Sequence, residues 1–219
     1  MNIIDFSLQH SVINTYMSEL RDSNYQKSPL LFRNNIRRIG QFIAYEISKQ
    51  LDYHDINVVT PLGNAAIAVP TDNIVVATVL RAGLPMHDGI LSVFDKAENA
   101  FASAYRTYED DAHTQVGIHV EYLAAPSLDG KILIIADPML ATGGSMELAY
   151  KALLSHGTPK DIHIASVIAA TEGINHIRAT FPDDKTTVWC GAIDPCLNAQ
   201  KYIVPGLGDA GDLCFGEKL

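Results

Sequence analysis

The run Ile132-Leu133-Ile134-Ile135-Ala136 constrains the fold more than any other stretch, because five apolar residues follow one another without a polar interruption. A strand with one wet face alternates polar and apolar residues, whereas a strand that does not alternate has to be covered on both faces. The middle of a parallel sheet with helices on either side meets that condition. The β-rich runs, this one included, are Val58 to Thr60, Ala66 to Val69, Ile74 to Leu80, Gly117 to Tyr122, Lys131 to Ala136, Ile162 to Ala169 and Thr187 to Cys190. Between several of them lie helical segments, Met86 to Phe94, Ser145 to Ser155 and Gly173 to Thr180. The expected class is therefore α/β, a mainly parallel sheet flanked by helices, with ligands beyond the carboxyl ends of the strands.

The N-terminal part reads as helical. Ser11 to Leu20 is a short candidate, and after Ser28-Pro29 the residues Phe32, Ile36, Ile39, Phe42, Ile43 and Ile47 recur at helical spacing. That face is expected to point inward, with Arg33, Arg37 and Arg38 on the solvated side. No repeat or linker divides the chain, so residues 1–219 read as a single domain. At 47% apolar and 19% charged residues, the chain can build its core without staples. Cys190, Cys196 and Cys214 form no CxxC pair, which disfavours a disulfide framework or a zinc site.

The net charge of −9 repels phosphate polymers and anionic membranes, so neither a nucleic acid nor a membrane is an expected partner. Residues 1–10 lack the pattern of a signal peptide, and no run reaches the roughly 20 apolar residues that cross a bilayer. A cytoplasmic protein is expected. A small polyanion remains an allowed ligand, because a few arginines in a cleft reverse the local potential.

Directly after the apolar run comes Asp137-Pro138-Met139-Leu140-Ala141-Thr142-Gly143-Gly144-Ser145, and then a helix. Strand, small-residue loop and helix N-terminus together bind phosphate: main-chain N–H groups converge, and the positive end of the helix dipole faces the anion. Gly143 and Gly144 let the chain approach closely, and Thr142 and Ser145 add hydroxyl donors. Asp137, at the strand end, can accept hydrogen bonds from a sugar diol. The loop thus suits a ribose 5-phosphate. It is not a P-loop, since GxxxxGK[ST] is absent; a TGGS tetrapeptide alone would also fit a capped structural turn.

The whole nonapeptide resembles the PRPP loop of type I phosphoribosyltransferases, in the form found in uracil phosphoribosyltransferases, where Pro138 replaces the second acid of most relatives. The block Tyr202-Ile203-Val204-Pro205-Gly206-Leu207-Gly208-Asp209-Ala210-Gly211-Asp212 resembles the uracil-binding segment of that family. Leu80-Arg81-Ala82-Gly83-Leu84, Tyr105-Arg106 and Glu172-Gly173 match as well, with weaker echoes at Arg21-Asp22, Phe32-Arg33, Tyr45-Glu46 and Thr60-Pro61-Leu62. The chain departs from the pattern at Thr107-Tyr108-Glu109-Asp110, over 194–201 and at Leu213-Cys214. These departures bear on loop dynamics and regulation.

The resemblance implies a type I phosphoribosyltransferase fold, with N-terminal helices and a C-terminal segment forming a hood over the base. It implies transfer of the 5-phosphoribosyl group of PRPP to uracil, giving UMP and diphosphate. Arg81 and Arg106 would hold the diphosphate, a role guanidinium suits because it donates in pairs and keeps its charge. Residues 137–145 would hold the ribose phosphate. Asp209 would contact the diphosphate and its Mg²⁺ through water, without a direct metal ligand from the protein. Ile203, Gly208, Asp209 and Ala210 would read uracil, largely through the main chain. The resemblance also implies a homo-oligomer, a dimer or larger, and GTP activation as in some members. His87, His113, His119, Cys196 and Cys214 carry no catalytic pattern. Three other readings stay open here: a PRPP-dependent transferase for another base, a nucleotide-sensing regulatory protein of the same fold, and a catalytically silent, ligand-sensing homologue suggested by the altered flap.

Overall fold

The computed structural model describes the backbone of residues 1–108 and 116–217, and the side chains of all of these except 104–108 and 116–121. In chain order the strands and helices are β1 (Asn2–Asp5), α1 (Ile13–Arg21), α2 (Pro29–Ser48), β2 (Tyr53–Thr60), β3 (Gly63–Pro70), β4 (Ile74–Val79) and α3 (Leu84–Leu91). There follow β5 (Glu98–Tyr108), β6 (Val116–Ala124), β7 (Ile132–Ala136), β8 (Met139–Leu140), α4 (Gly144–Leu153) and β9 (Asp161–Ala170). The chain continues through α5 (Thr171–Thr180), β10 (Thr186–Asp194), β11 (Cys196–Leu197), β12 (Ile203–Val204) and α6 (Ala210–Phe215).

The main sheet runs β1-β10-β9-β7-β4-β5-β6, with β8 also paired to β9. Its pairings are parallel except β5 with β6. Strand β7 lies in the middle, as its composition demands. Ile132, Ile134 and Ala136 join a core with α1, α2 and α3, while Leu133 and Ile135 join a second core with α4 and α5. All five are at most 3% exposed. Burial of this extent stabilises by about 1.5–3 kcal/mol for each large side chain.

Helix α2 begins where its sequence says it should. Pro29 sits in the first turn, and the Ser28 hydroxyl accepts from the Leu31 amide at 3.5 Å. Phe32, Ile36, Ile39, Ile43 and Ile47 are fully buried. Phe42 is the correction: it is 36% exposed and leans on Tyr16 with ring centroids 6.2 Å apart. One residue before Ile43, it points about 100° off the buried stripe. Arg33 is also not a freely solvated side chain, because it donates to the Cys214 carbonyl at 2.5 Å and so fastens α2 to α6.

Among the described residues, strands β2 and β3 pair only with each other, as an antiparallel hairpin off the main sheet. Among the described residues, no helix is long and apolar enough to cross a membrane.

Candidate active site

The parallel strands end at one edge, and the predicted loop follows β7 there. Its main chain is pinned to β9. The Asp137 amide donates to the Ala165 carbonyl at 3.1 Å, and the Pro138 carbonyl accepts from Val167 and Ile168 at 3.1 and 3.0 Å. The Ser166 hydroxyl donates to the Asp137 carbonyl at 2.7 Å. Pairing then resumes as β8, Met139 with Ile168 and Leu140 with Ala169. A proline fits the interruption, since its missing N–H would have had no ladder acceptor to serve.

Beyond β8 the chain turns through Gly143, which has φ +81° and no room for a Cβ: such an atom would lie 2.8 Å from the His176 ring. The left-handed conformation and the close approach both call for glycine. His176 in turn bonds Glu147 in the first turn of α4 at 2.8 Å. The Thr142 hydroxyl accepts from the Gly144 amide at 3.3 Å. At the N-terminus of α4 lies a small cavity of about 60 Å³, lined by Asp137, Met139, Leu140, Ala141, Thr142, Gly143, Ser145 and Met146. An anion there meets hydroxyls, amide hydrogens and the helix dipole.

A neighbouring cavity of about 280 Å³ is lined by Val79, Leu80, Arg81, Ala82, Asp137, Met139, Ala141, Ser145, Asp209 and Gly211. It brings together three residues far apart in the chain, Arg81, Asp137 and Asp209. Gly83 makes this possible, for a Cβ there would lie 2.6 Å from the Ala136 carbonyl, and so the turn after β4 packs directly on the end of β7. The Asp137 carboxylate accepts the Met139 amide at 3.3 Å, and burial at the strand end pushes its pKa up to about 7.

Arg81 is loosely held. Its Nη2 donates to Asp212 at 3.4 Å and to the Gly216 carbonyl at 3.2 Å, and its buried Nε has no partner. Long bonds and an idle N–H leave the guanidinium free to engage an anion in the cavity. Asp209 carries two duties. One carboxylate oxygen caps α6 by accepting the Asp212 amide at 3.0 Å, the local role any turn aspartate can play, yet the residue also lines the cavity.

The remaining expected residues divide. Pro138, Gly143 and Gly144 are buried within the loop. Ile203 is 7% exposed and its side chain belongs to the core, so only its main chain is available to a ligand. Gly208 is exposed, with φ +89°, and Ala210 opens α6. Arg106 lies on β5 opposite Ile118, but its side chain falls outside the described residues, as do residues 109–115 with His113, and the side chain of His119. His87 is a packing residue, 4% exposed and bonded to Asn99 at 2.8 Å, with its pKa lowered by burial. Sequence reasoning gave no role to Asp212, although its place in the Gly-Asp-Ala-Gly-Asp block could have marked it as the partner of Arg81.

A small-residue loop at the end of a central parallel strand, an acid at that strand end and an arginine at the end of the neighbouring strand, on a mainly parallel sheet flanked by helices, match the plan of a type I phosphoribosyltransferase. The fold agrees with a hypoxanthine phosphoribosyltransferase from Staphylococcus aureus, at TM-score 0.50 and 13% identity over 75% of this chain and 76% of that one. The family model for uracil phosphoribosyltransferase matches residues 7–217, and the chain belongs to that family. A uracil phosphoribosyltransferase from Porphyromonas gingivalis is 54% identical over the full length of both chains. One from Metallosphaera sedula is 38% identical, covering 96% of this chain and 99% of its own. A solved structure of a protein from Aquifex aeolicus superposes with TM-score 0.83 at 33% identity, over 98% of each chain.

Proposed function

We propose that this chain transfers the 5-phosphoribosyl group of PRPP to N1 of uracil, releasing diphosphate and forming UMP, and that one catalytic domain spanning residues 1–219 does so. The observation that carries the residue assignment is the meeting of Arg81, Asp137 and Asp209 around one cavity beside the 141–145 loop. The loop amides and the hydroxyls of Thr142 and Ser145 hold the 5-phosphate. Asp137 accepts hydrogen bonds from the ribose diol. Arg81, joined by Arg106 from β5, holds the diphosphate.

In the reaction the bond from C1′ to the diphosphate oxygen breaks, a bond from C1′ to N1 forms, and the N1 proton of uracil is lost. Positive charge develops on the sugar ring and negative charge on the leaving group. Arg81 and Arg106 stabilise the latter, while the loop and Asp137 fix the ribose in line with the base. The main chain of Ile203, Gly208, Asp209 and Ala210 reads the base. Uracil presents N3–H between two carbonyl acceptors, an edge that main-chain carbonyl and amide groups can match.

Mg²⁺ carried in with PRPP suits this site, since two of the residues lining the cavity, Asp137 and Asp209, carry hard oxygen donors. Bound with PRPP, it would neutralise diphosphate charge, with Asp209 contacting its waters. The assembly is a homo-oligomer. The β2–β3 hairpin supports this, because Leu62 is 100% and Val59 84% exposed on a two-stranded arm that, among the described residues, pairs with no third strand. Sedimentation of the chain beside a Leu62→Asp variant tests it: the wild type should run as a dimer or larger and the variant should dissociate more readily.

The deciding assay is diphosphate release from PRPP with each free base in turn, with and without Mg²⁺ and with and without GTP. Uracil-dependent, Mg²⁺-dependent release supports the proposal, and a GTP response extends the effector behaviour of some relatives to this chain. Release with another base and none with uracil refutes it.

A further inference from the structure

We infer that Arg21 and Gln26, on the first helix and the turn after it, are positioning residues for base recognition, and that they act by holding the main chain of the hood. The inference rests on the reading of residues 203–210 as the base site. Arg21 is the last residue of α1 and Asp194 the last of β10. Their contact is two-pronged, Nη2 to Oδ1 at 2.7 Å and Nη1 to Oδ2 at 2.9 Å. The same pair grips Gly206 from both sides. Its amide donates to Asp194 Oδ2 at 2.8 Å, and its carbonyl accepts from Arg21 Nη1 at 3.0 Å. One residue on, the Leu207 carbonyl accepts from Gln26 Nε2 at 2.7 Å, and that amide group also bonds the Leu20 carbonyl at 2.6 Å.

Charge-assisted bonds of this kind are about twice as strong as neutral ones, and these are shielded, with Asp194 only 5% exposed. Gly206 cannot be replaced in this turn. It has φ +64°, and a Cβ would lie 2.1 Å from the Ile203 carbonyl, so the chain folds back on Ile203 just where the clamp holds it. The polar main-chain groups of Gly206 are committed to the clamp and are not available to a base. Ile203 and Gly208, on either side, are the groups whose placement the clamp sets. The hood's own pairing is a two-residue ladder, Cys196 with Val204 and Leu197 with Ile203, closed by the Asn198 amide on the Tyr202 carbonyl at 2.8 Å, and too short to fix it alone. The positions that fix it lie up to 185 residues away in the chain.

Steady-state kinetics with uracil and PRPP varied separately test the inference in Arg21→Lys and Gln26→Ala, alongside calorimetric binding of PRPP without base. Arg21→Lys keeps the charge and loses the fork, and should raise KM for uracil by about tenfold or more; Gln26→Ala should raise it by about fivefold. PRPP affinity should stay within about twofold in both, because the phosphate loop is tied to β9 and not to α1. Gln26 is half-buried and its side chain makes two hydrogen bonds, so thermal melts of both variants, run beside the kinetics, separate loss of the clamp from loss of the fold. An equal rise in both constants, or an unchanged KM for uracil in folded variants, overturns the inference. Gly208→Val separates the two levels of argument. If it uses uracil normally, the base-site reading itself fails; if it loses uracil while the clamp variants do not, only the positioning role fails.

Discussion

The two halves of the site are held by different means. The phosphate loop is an extension of the central sheet, fastened to β9 by main-chain bonds on both sides of Pro138. The hood is a short ladder and a six-residue helix, held by side chains that reach in from α1 and α2. Main-chain fastening depends little on which side chains surround it, whereas a side-chain clamp fails with one substitution. Changes on the loop side should therefore damage chemistry and leave the scaffold intact, and changes on the hood side, Asp209 excepted because it also lines the Arg81 cavity, should damage base use and spare PRPP.

The sharpest contrast comes from Asp137→Asn, which should lower kcat/KM by roughly 10²–10³-fold, because the amide presents a donor where the ribose diol needs an acceptor. Steady-state rates checked against circular dichroism of the folded variant decide it. Arg81→Lys should follow at about 10²-fold, since a point charge cannot replace a two-pronged contact with diphosphate; near-normal activity would make Arg81 a scaffold residue held by Asp212. On the other side, Gly208→Val puts a branched residue at φ +89° and should cost about 10²-fold in uracil use with PRPP binding retained. Loss of both substrates together would break the division between the halves.

A smaller effect concerns pH. With its pKa near 7, Asp137 is partly protonated in the free enzyme, while the diol is held best by the carboxylate. KM for PRPP should therefore fall as pH rises through 7, by at most about tenfold per unit below that point, and Asp137→Asn should flatten the difference. Stability runs the other way. An unfolded aspartate titrates near 3.9, so between about pH 4 and 7 the folded state holds a proton that the unfolded state has lost, and wild-type stability declines across that window. Asp137→Asn removes the decline. Its melting temperature at pH 8 should exceed that of wild type by about 2–4 °C or more, a gain that vanishes near pH 4.

The same division explains what could be read from the sequence. Strand β7 and its loop were legible because their determinants are local: an unbroken apolar run, a strand-end acid and a glycine pair. Helix α2 was legible from its cap and its period. Strand β5 was not, since Glu98-Asn99-Ala100-Phe101-Ala102 lacks β-branched residues and becomes a strand through pairing with β4 on one side and β6 on the other. The edge strand β1 was passed over as well, being four residues long and set by its register with β10. In the hood, the glycine-rich block pointed to the base site, but nothing local marked Arg21 or Asp194 as its support. That information lies in contacts between the two ends of the chain, which periodicity cannot report.

The central claim is that a main-chain edge in the hood selects uracil for a ribose already held by the loop. The most direct measurement is kcat/KM for uracil and for cytosine at saturating PRPP with Mg²⁺ in one preparation. Cytosine reverses two contacts of that edge, placing an acceptor at N3 and a donor at C4, so uracil should be preferred by about 10⁴-fold or more. Comparable efficiency with the two bases would contradict the account.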